Sequence, residues 1–166
     1  MTLRRAVLLL AAAVIATSLF VAPSAASAAP RAAATAGPVS AAQAAAAALA
    51  ARGTKIVAAA RNQRGKPYRY GARGPSAFDC SGLAGYAYAK AGVRLPRTAQ
   101  AQYRRARKIT AAAARPGDLV FWVSGNHAYH VAVYAGAGQV WHAPKPGDRV
   151  KLAKIWNWKQ VRFGRV

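Results

Sequence analysis

The sequence of 166 residues contains one cysteine and three acidic side chains. With Cys80 as the sole cysteine, no disulfide can form within the chain, so the fold must stand on packing alone. An oxidisable thiol is nevertheless kept in a chain whose N-terminus reads as an export signal. The three acids, Asp79, Asp118 and Asp148, face 25 basic residues and leave a formal net charge of +22. Carboxylates able to orient a catalytic histidine are therefore scarce. No close-spaced ligand pair of the C-x-x-C kind is present, which argues against a zinc site built on Cys80 and the histidines. The aromatics are not interleaved with a basic repeat, which argues against nucleic acid as a partner.

What is present begins with Arg4 and Arg5, an apolar run "AVLLLAAAVIATSLFVA" and then small residues, the layout of a secretory signal peptide. Ala26-Ser27-Ala28 supplies the small side chains for a cut after Ala28; the rival reading is an uncleaved anchor, since the run approaches the roughly 20 residues that span a bilayer. Cleavage of residues 1–28 leaves 23 basic against 3 acidic side chains, a net of +20, down from 25 against 3. Such a field suits polyanions, and export points to acidic polymers of a bacterial cell wall before chromosomal DNA.

Residues 29–52 are Ala-rich and low in complexity, and read as a linker with at most a transient helix over 40–52. From residue 53 onward the composition changes, because all the tyrosines, tryptophans and acids lie there. Thr54 is the expected N-cap of a helix ending at Arg61. Residues 65–79, "GKPYRYGARGPSAFD", read as an ordered loop. Asp79 or Ser76 then opens a second helix with Cys80 in its first turn and Gly92 at its stop. A third helix is expected near 98–107. Strands are expected at 118–123, 130–135, 138–143, 149–153 and 160–164. Helices followed by a meander of strands predict an α+β fold with an antiparallel sheet.

A free thiol of pKa about 8.5 is mostly protonated at pH 7, and a helix start or a nearby imidazolium can lower that value. Cys80 has the helix start. Histidines must come from elsewhere, and His130 and His142 flank a hairpin, "HVAVYAGAGQVWHA". A turn centred on Gly136 places them directly opposite each other, where one imidazole can orient the other, and a turn shifted by one residue is expected to separate them. His127 reads as a loop residue. Asp118 and Asp148 sit in turn contexts, so His142 is the better orienting group.

Taken together, "KPYRYGARGPSAFDCSGLAGYAYAKAGVRLPRTAQAQY", "RPGDLVFW", "HVAVYAG" and "VWHAP" resemble the NlpC/P60 family of bacterial cell-wall cysteine peptidases, over residues 54–166. The resemblance implies a papain-like α+β fold, with the nucleophile at a helix start packed on an antiparallel sheet. It implies that Cys80 is the nucleophile, His130 the general base and His142 the orienting residue, and that Tyr68 stabilises the oxyanion, although locally Tyr68 could be a packed loop aromatic. Asp79 and Ser81 match substrate-contacting positions and could equally cap the helix; Arg97 matches a position near the cleft and could equally be structural. The sequence departs from the family in "YGARG", which lacks a second glycine after the tyrosines, and in Ala132, which replaces a common glycine. The implied activity is hydrolysis of peptidoglycan stem peptides, most often at the bond from the γ-carboxyl of D-glutamate to the diamino acid. It calls for no cofactor and no metal, a secreted or wall-associated monomer with no lasting membrane insertion, and anionic wall polymers as a second partner. A catalytically silent cationic wall binder is the alternative.

Overall fold

The computed structural model describes residues 40–166; the expected signal peptide and residues 29–39 of the expected linker lie outside the described residues. Helix α1 (Ala41–Arg61) begins earlier than expected. The Ser40 hydroxyl accepts from Gln43 N–H while the Gln43 side chain accepts from Ser40 N–H, a reciprocal cap that satisfies two otherwise orphaned donors. Alanine has the strongest helix propensity of any residue, so a capped alanine run can extend a helix without burying anything. Thr54, the expected cap, lies inside the helix and donates to Ala50 O at 3.1 Å. Only the second half packs, through Gly53, Ile56 and Ala60. At Gly53 a Cβ would stand 2.2 Å from Pro116 O, so a side chain there would collide with the turn before the sheet.

Helix α2 (Cys80–Lys90) and helix α3 (Ala99–Arg105) follow, the latter capped by Thr98. The third helix stops short of its expected end because Arg107 opens a strand that sequence periodicity does not reveal. The strands are β1 (Arg107–Ile109), β2 (Leu119–Ser124), β3 (His127–Gly136), β4 (Gln139–His142), β5 (Lys151–Lys154) and β6 (Val161–Arg165). They form one sheet in the order β1-β6-β2-β3-β4-β5, and every pairing is antiparallel. The expected meander holds from β2 to β5 only. β6 returns to cover the free edge of β2, and β1 then pairs with β6.

Both faces of the sheet are covered, which is why "DLVFWV" reads as a continuous apolar run with no alternation. Phe121, Val131, Val133 and Trp141 face the helices and pack with Ile56, Leu83, Ala87 and Tyr88. Val120, Trp122, Ala132 and Val140 pack on the other face with Ile155, Val161 and Phe163. Each Val, Leu, Ile or Phe side chain among them removed from water contributes on the order of 1.5–3 kcal/mol. Buried Tyr88 donates its hydroxyl to Gly117 O at 2.7 Å, tying α2 to the turn before β2. Both outer strands are short and basic, "RKI" and "KLAK", a device that discourages edge-to-edge pairing.

Candidate active site

Cys80 is the first residue of α2 and is half-buried, with its thiol free. Asp79 is the N-cap, accepting from Gly82 N–H at 2.6 Å through Oδ1. Its Oδ2 accepts from Gly71 N–H at 2.9 Å, and Arg97 grips both oxygens. Ser81 Oγ donates to Asp79 Oδ1 at 3.1 Å and accepts from Arg97 Nη1 at 2.9 Å. One buried carboxylate thus fastens the helix start to two loops. Burial alone would raise the Asp79 pKa, but the Arg97, Gly82 and Ser81 hydrogen bonds outweigh it and hold the carboxyl below its usual range. Gln102 adds a brace, donating to Ser81 O at 3.0 Å and Pro96 O at 2.9 Å.

Gly82 explains why the loop carrying Tyr68 and Tyr70 sits so close to the thiol. A Cβ at that position would lie 2.0 Å from Ala72 O, so only glycine admits the loop against the first turn. The loop is also stitched from behind, with Tyr68 N–H donating to Asp148 O at 2.8 Å and Val150 N–H to Lys66 O at 2.8 Å. An open cleft of about 510 Å³ results, lined by Tyr68, Tyr70, Asp79, Cys80, Ser81 and Arg97 together with Gln100 and His127 to Tyr129. Burial, followed by the neighbouring Cys80 and Asp79, raises the Tyr68 pKa, so its hydroxyl stays a proton donor at neutral pH.

The histidine hairpin differs in register from expectation. Val133 pairs with Trp141 and Tyr134 with Val140, which centres the turn on Ala137 in place of Gly136. Ala137 and Gly138 both take positive φ, 49° and 67°, the two-residue turn whose twist matches a hairpin. The even shift keeps every side chain on its face. His130 and His142 become diagonal neighbours, about 7–8 Å apart at the backbone, a span that two imidazoles bridge. Their rings meet edge-on, with His130 Nε2 3.1 Å from His142 Nδ1. Both are buried. Burial, then the partner His142, pushes the His130 pKa down to about 3; burial, then Lys151, pushes His142 down to about 4 against a small opposing pull from Asp148.

Cys80 approaches the sheet at Val131, the residue after His130, beyond the β3–β4 ladder that reaches back only to Val133. That contact and the Ser81 N–H favour the thiolate, but burial is the larger effect and pushes the Cys80 pKa up, with the Asp79 charge adding to the rise. The helix start alone therefore does not ionise the thiol at rest. Burial thus favours the neutral forms of the Cys80 thiol and of both buried imidazoles.

Asp118 and Asp148 are engaged elsewhere, as their turn contexts predict. Arg165 grips Asp118 with both of its oxygens engaged, at 2.8 and 2.7 Å, and Lys151 pairs with Asp148 at 2.6 Å. His127 opens β3 at the exposed cleft mouth and does not join the histidine pair. No cluster of three or more metal-ligating side chains occurs among the described residues. Sequence reasoning passed over three cleft residues. Tyr70 is 88% exposed beside the thiol, and its signal was present in "PYRYG". Gln100 accepts from Ala128 N–H at 2.6 Å and so pins the cleft wall, and Tyr129 donates to Gln160 at 2.7 Å; neither has a signature in sequence.

Comparison with known proteins bears on the family and the fold. The NlpC/P60 family pattern matches residues 65–164. The probable endopeptidase p60 of Listeria monocytogenes is 45% identical over 115 residues, which cover 67% of this chain and 23% of that protein. The chain thus spans about a quarter of the length of that relative. The crystal structure of the NlpC/p60 domain of the peptidoglycan hydrolase SagA superposes with a TM-score of 0.64 at 37% identity, covering 69% of this chain and 98% of the other. RipD of Mycobacterium tuberculosis, described as a non-catalytic NlpC/p60 protein adapted to peptidoglycan binding, superposes with a TM-score of 0.61 at 31% identity, covering 69% and 97%. With helices packed on an antiparallel sheet and the family pattern running through the cysteine and both histidines, the chain belongs to the NlpC/P60 family.

Proposed function

We propose that the protein is a secreted cysteine endopeptidase that cuts peptide bonds in peptidoglycan stem peptides through Cys80, His130 and His142. The observation that carries this reading is the 3.1 Å contact between His130 Nε2 and His142 Nδ1, in a chain whose one thiol lines the cleft. For His130 to take the thiol proton on Nδ1, its Nε2 must carry hydrogen and donate to His142 Nδ1. His142 then holds its own proton on Nε2, a buried atom with no hydrogen-bond partner among the described residues. His142 orients His130 and shares the charge when the imidazolium forms.

The sulfur attacks the scissile carbonyl carbon as its proton passes to His130. The helix-start N–H groups and the Tyr68 hydroxyl stabilise the oxyanion. The carbon–nitrogen bond breaks, His130 returns the proton to the leaving amine, and water hydrolyses the thioester to regenerate the thiol. Asp79 and Ser81 line the cleft with their polar atoms already paired, so their part is to hold Arg97 and the helix start where substrate arrives. The γ-D-glutamyl bond to the diamino acid is the expected cut.

A second reading, a peptidoglycan binder without catalysis, is favoured by the likeness to RipD. Purified peptidoglycan incubated with the wild type and with Cys80→Ala, then examined by mass spectrometry, separates the two. Peptide release by the wild type, falling several orders of magnitude in Cys80→Ala, is expected; equal digestion by both removes the nucleophile assignment, and none by either favours the binder. His142→Ala should lose less than Cys80→Ala but clearly. The fragment masses also identify the bond.

A further inference from the structure

The histidine pair has a wall that lies outside every cleft motif. Trp156 follows β5, and its indole stacks flat on Trp122 with ring centroids 4.0 Å apart and 22° between planes. It also tilts over both imidazoles, 5.7 Å from His130 and 5.1 Å from His142. Trp122 meets His130 edge-on at 5.3 Å, so four rings form one cluster within the range of favourable aromatic contact. Trp122 is wholly buried, His130 is 7% exposed and His142 is 3% exposed, whereas Trp156 is 40% exposed. Trp156 is therefore the outermost member of the cluster. Its backbone is fixed on both sides: Trp122 Nε1–H donates to Trp156 O at 2.8 Å, Ile155 N–H donates to Gly138 O at 2.8 Å, and Asn157 turns the chain with φ 48°. Such an anchored, half-exposed indole has no evident task in the sheet, because Trp122 fills that core unaided.

We propose that Trp156 is a positioning residue whose indole seals the solvent side of the His130–His142 pair, keeping their mutual contact dry and both rings in the orientation that proton transfer with Cys80 requires. The proposal rests on the reading of Cys80, His130 and His142 given above. Its physical basis is that water reaching an imidazole stabilises the charged form, and that excluding water favours the neutral base. The charged and titratable groups facing the pair act around this effect. His142 faces His130, and Lys151 disfavours and Asp148 favours a charge on His142, while on the reading above Cys80 supplies the proton. A depressed histidine pKa keeps the base neutral well below pH 6.5, so the acid limb of the rate profile lies below the value for free imidazole. Admitting water moves it upward.

The test follows the imidazole Cε1 protons of purified wild type, Trp156→Ala and Trp156→Phe by NMR across pH 3 to 8, with kcat/KM profiles on peptidoglycan fragments in parallel. Trp156→Ala should raise the titration of the pair by about one pH unit, a tenfold gain in proton affinity, and carry the acid limb with it. Trp156→Phe should restore both, with KM within twofold of the wild type throughout. An unchanged titration in folded Trp156→Ala overturns the proposal, as does a raised KM at unchanged titration, which would make the indole a substrate contact. Should the alanine variant not fold, Trp156→Val carries the same comparison with a smaller expected shift. The titration needs no turnover, so a wild type without peptidase activity but with the expected shift sinks the peptidase reading and leaves the seal standing.

Discussion

Asp79 concentrates more of the site's geometry than any other side chain. It caps α2, holds Gly71 and accepts from both Arg97 and Ser81, so its charge is neutralised by neighbours brought from three segments. Removing Arg97 leaves a buried carboxylate short of its cation. Arg97→Ala is expected to cost roughly 1–3 kcal/mol of stability and to lower the denaturation midpoint, and to lower turnover as the helix start loosens. Chemical denaturation and peptidoglycan digestion check both; an unchanged midpoint would show the pair to be dispensable. In sequence, Asp79 was legible as a cap but not as a hub, because Arg97 lies 18 residues away and only tertiary structure joins them. The paired histidines were legible as chemistry, being two of only three in the chain. Their register was not, because Ala137 takes a left-handed conformation that alanine rarely adopts and that pattern reasoning assigns to glycine.

Among elements, the first turn of α2 and the loop before it behave as one unit. Gly82 presses against Ala72, and that contact fixes the distance from Tyr68 to the helix start. Gly82→Ala introduces a methyl 2.0 Å from a carbonyl oxygen, so the loop must retreat. Overpacking of this kind costs typically about 1–3 kcal/mol. The expected result is a lower melting temperature together with reduced turnover, whereas Gly85→Ala, whose Cβ meets nothing nearer than Gln102 Nε2 at 4.0 Å, should leave both close to wild type. Equal behaviour of the two variants would remove the close-approach argument. Existence and type were readable for α2 and for β2 to β5, where caps and apolar runs are strong. The extent of α1 was not, since an alanine run offers no periodicity to read and its helix rests on propensity and a capping box. β1 and the placement of β6 were also hidden, because three residues carry no pattern and strand order is a matter of long-range pairing.

Across the whole molecule, the acids are spent. Each of Asp79, Asp118 and Asp148 is paired with a basic side chain, leaving the other basic side chains among the described residues without an acidic partner. Retention on isolated cell walls by that excess charge should fall steeply as salt rises and the Debye length shrinks to about 3 Å at 1 M. A pelleting assay against salt checks it, and retention unchanged at 1 M would point to a non-ionic contact. The same pairing makes the molecule a poor buffer. Asp79 and Asp148 are held below the usual carboxylate range, the histidine pair stays neutral into acid, and burial keeps the Cys80 thiol protonated longer. The paired acids and the buried histidines thus add little to any change of charge between about pH 5 and 8. Mild acidification of its surroundings would therefore leave both the protonation of the buried pair and the pull of the molecule toward a polyanion little changed.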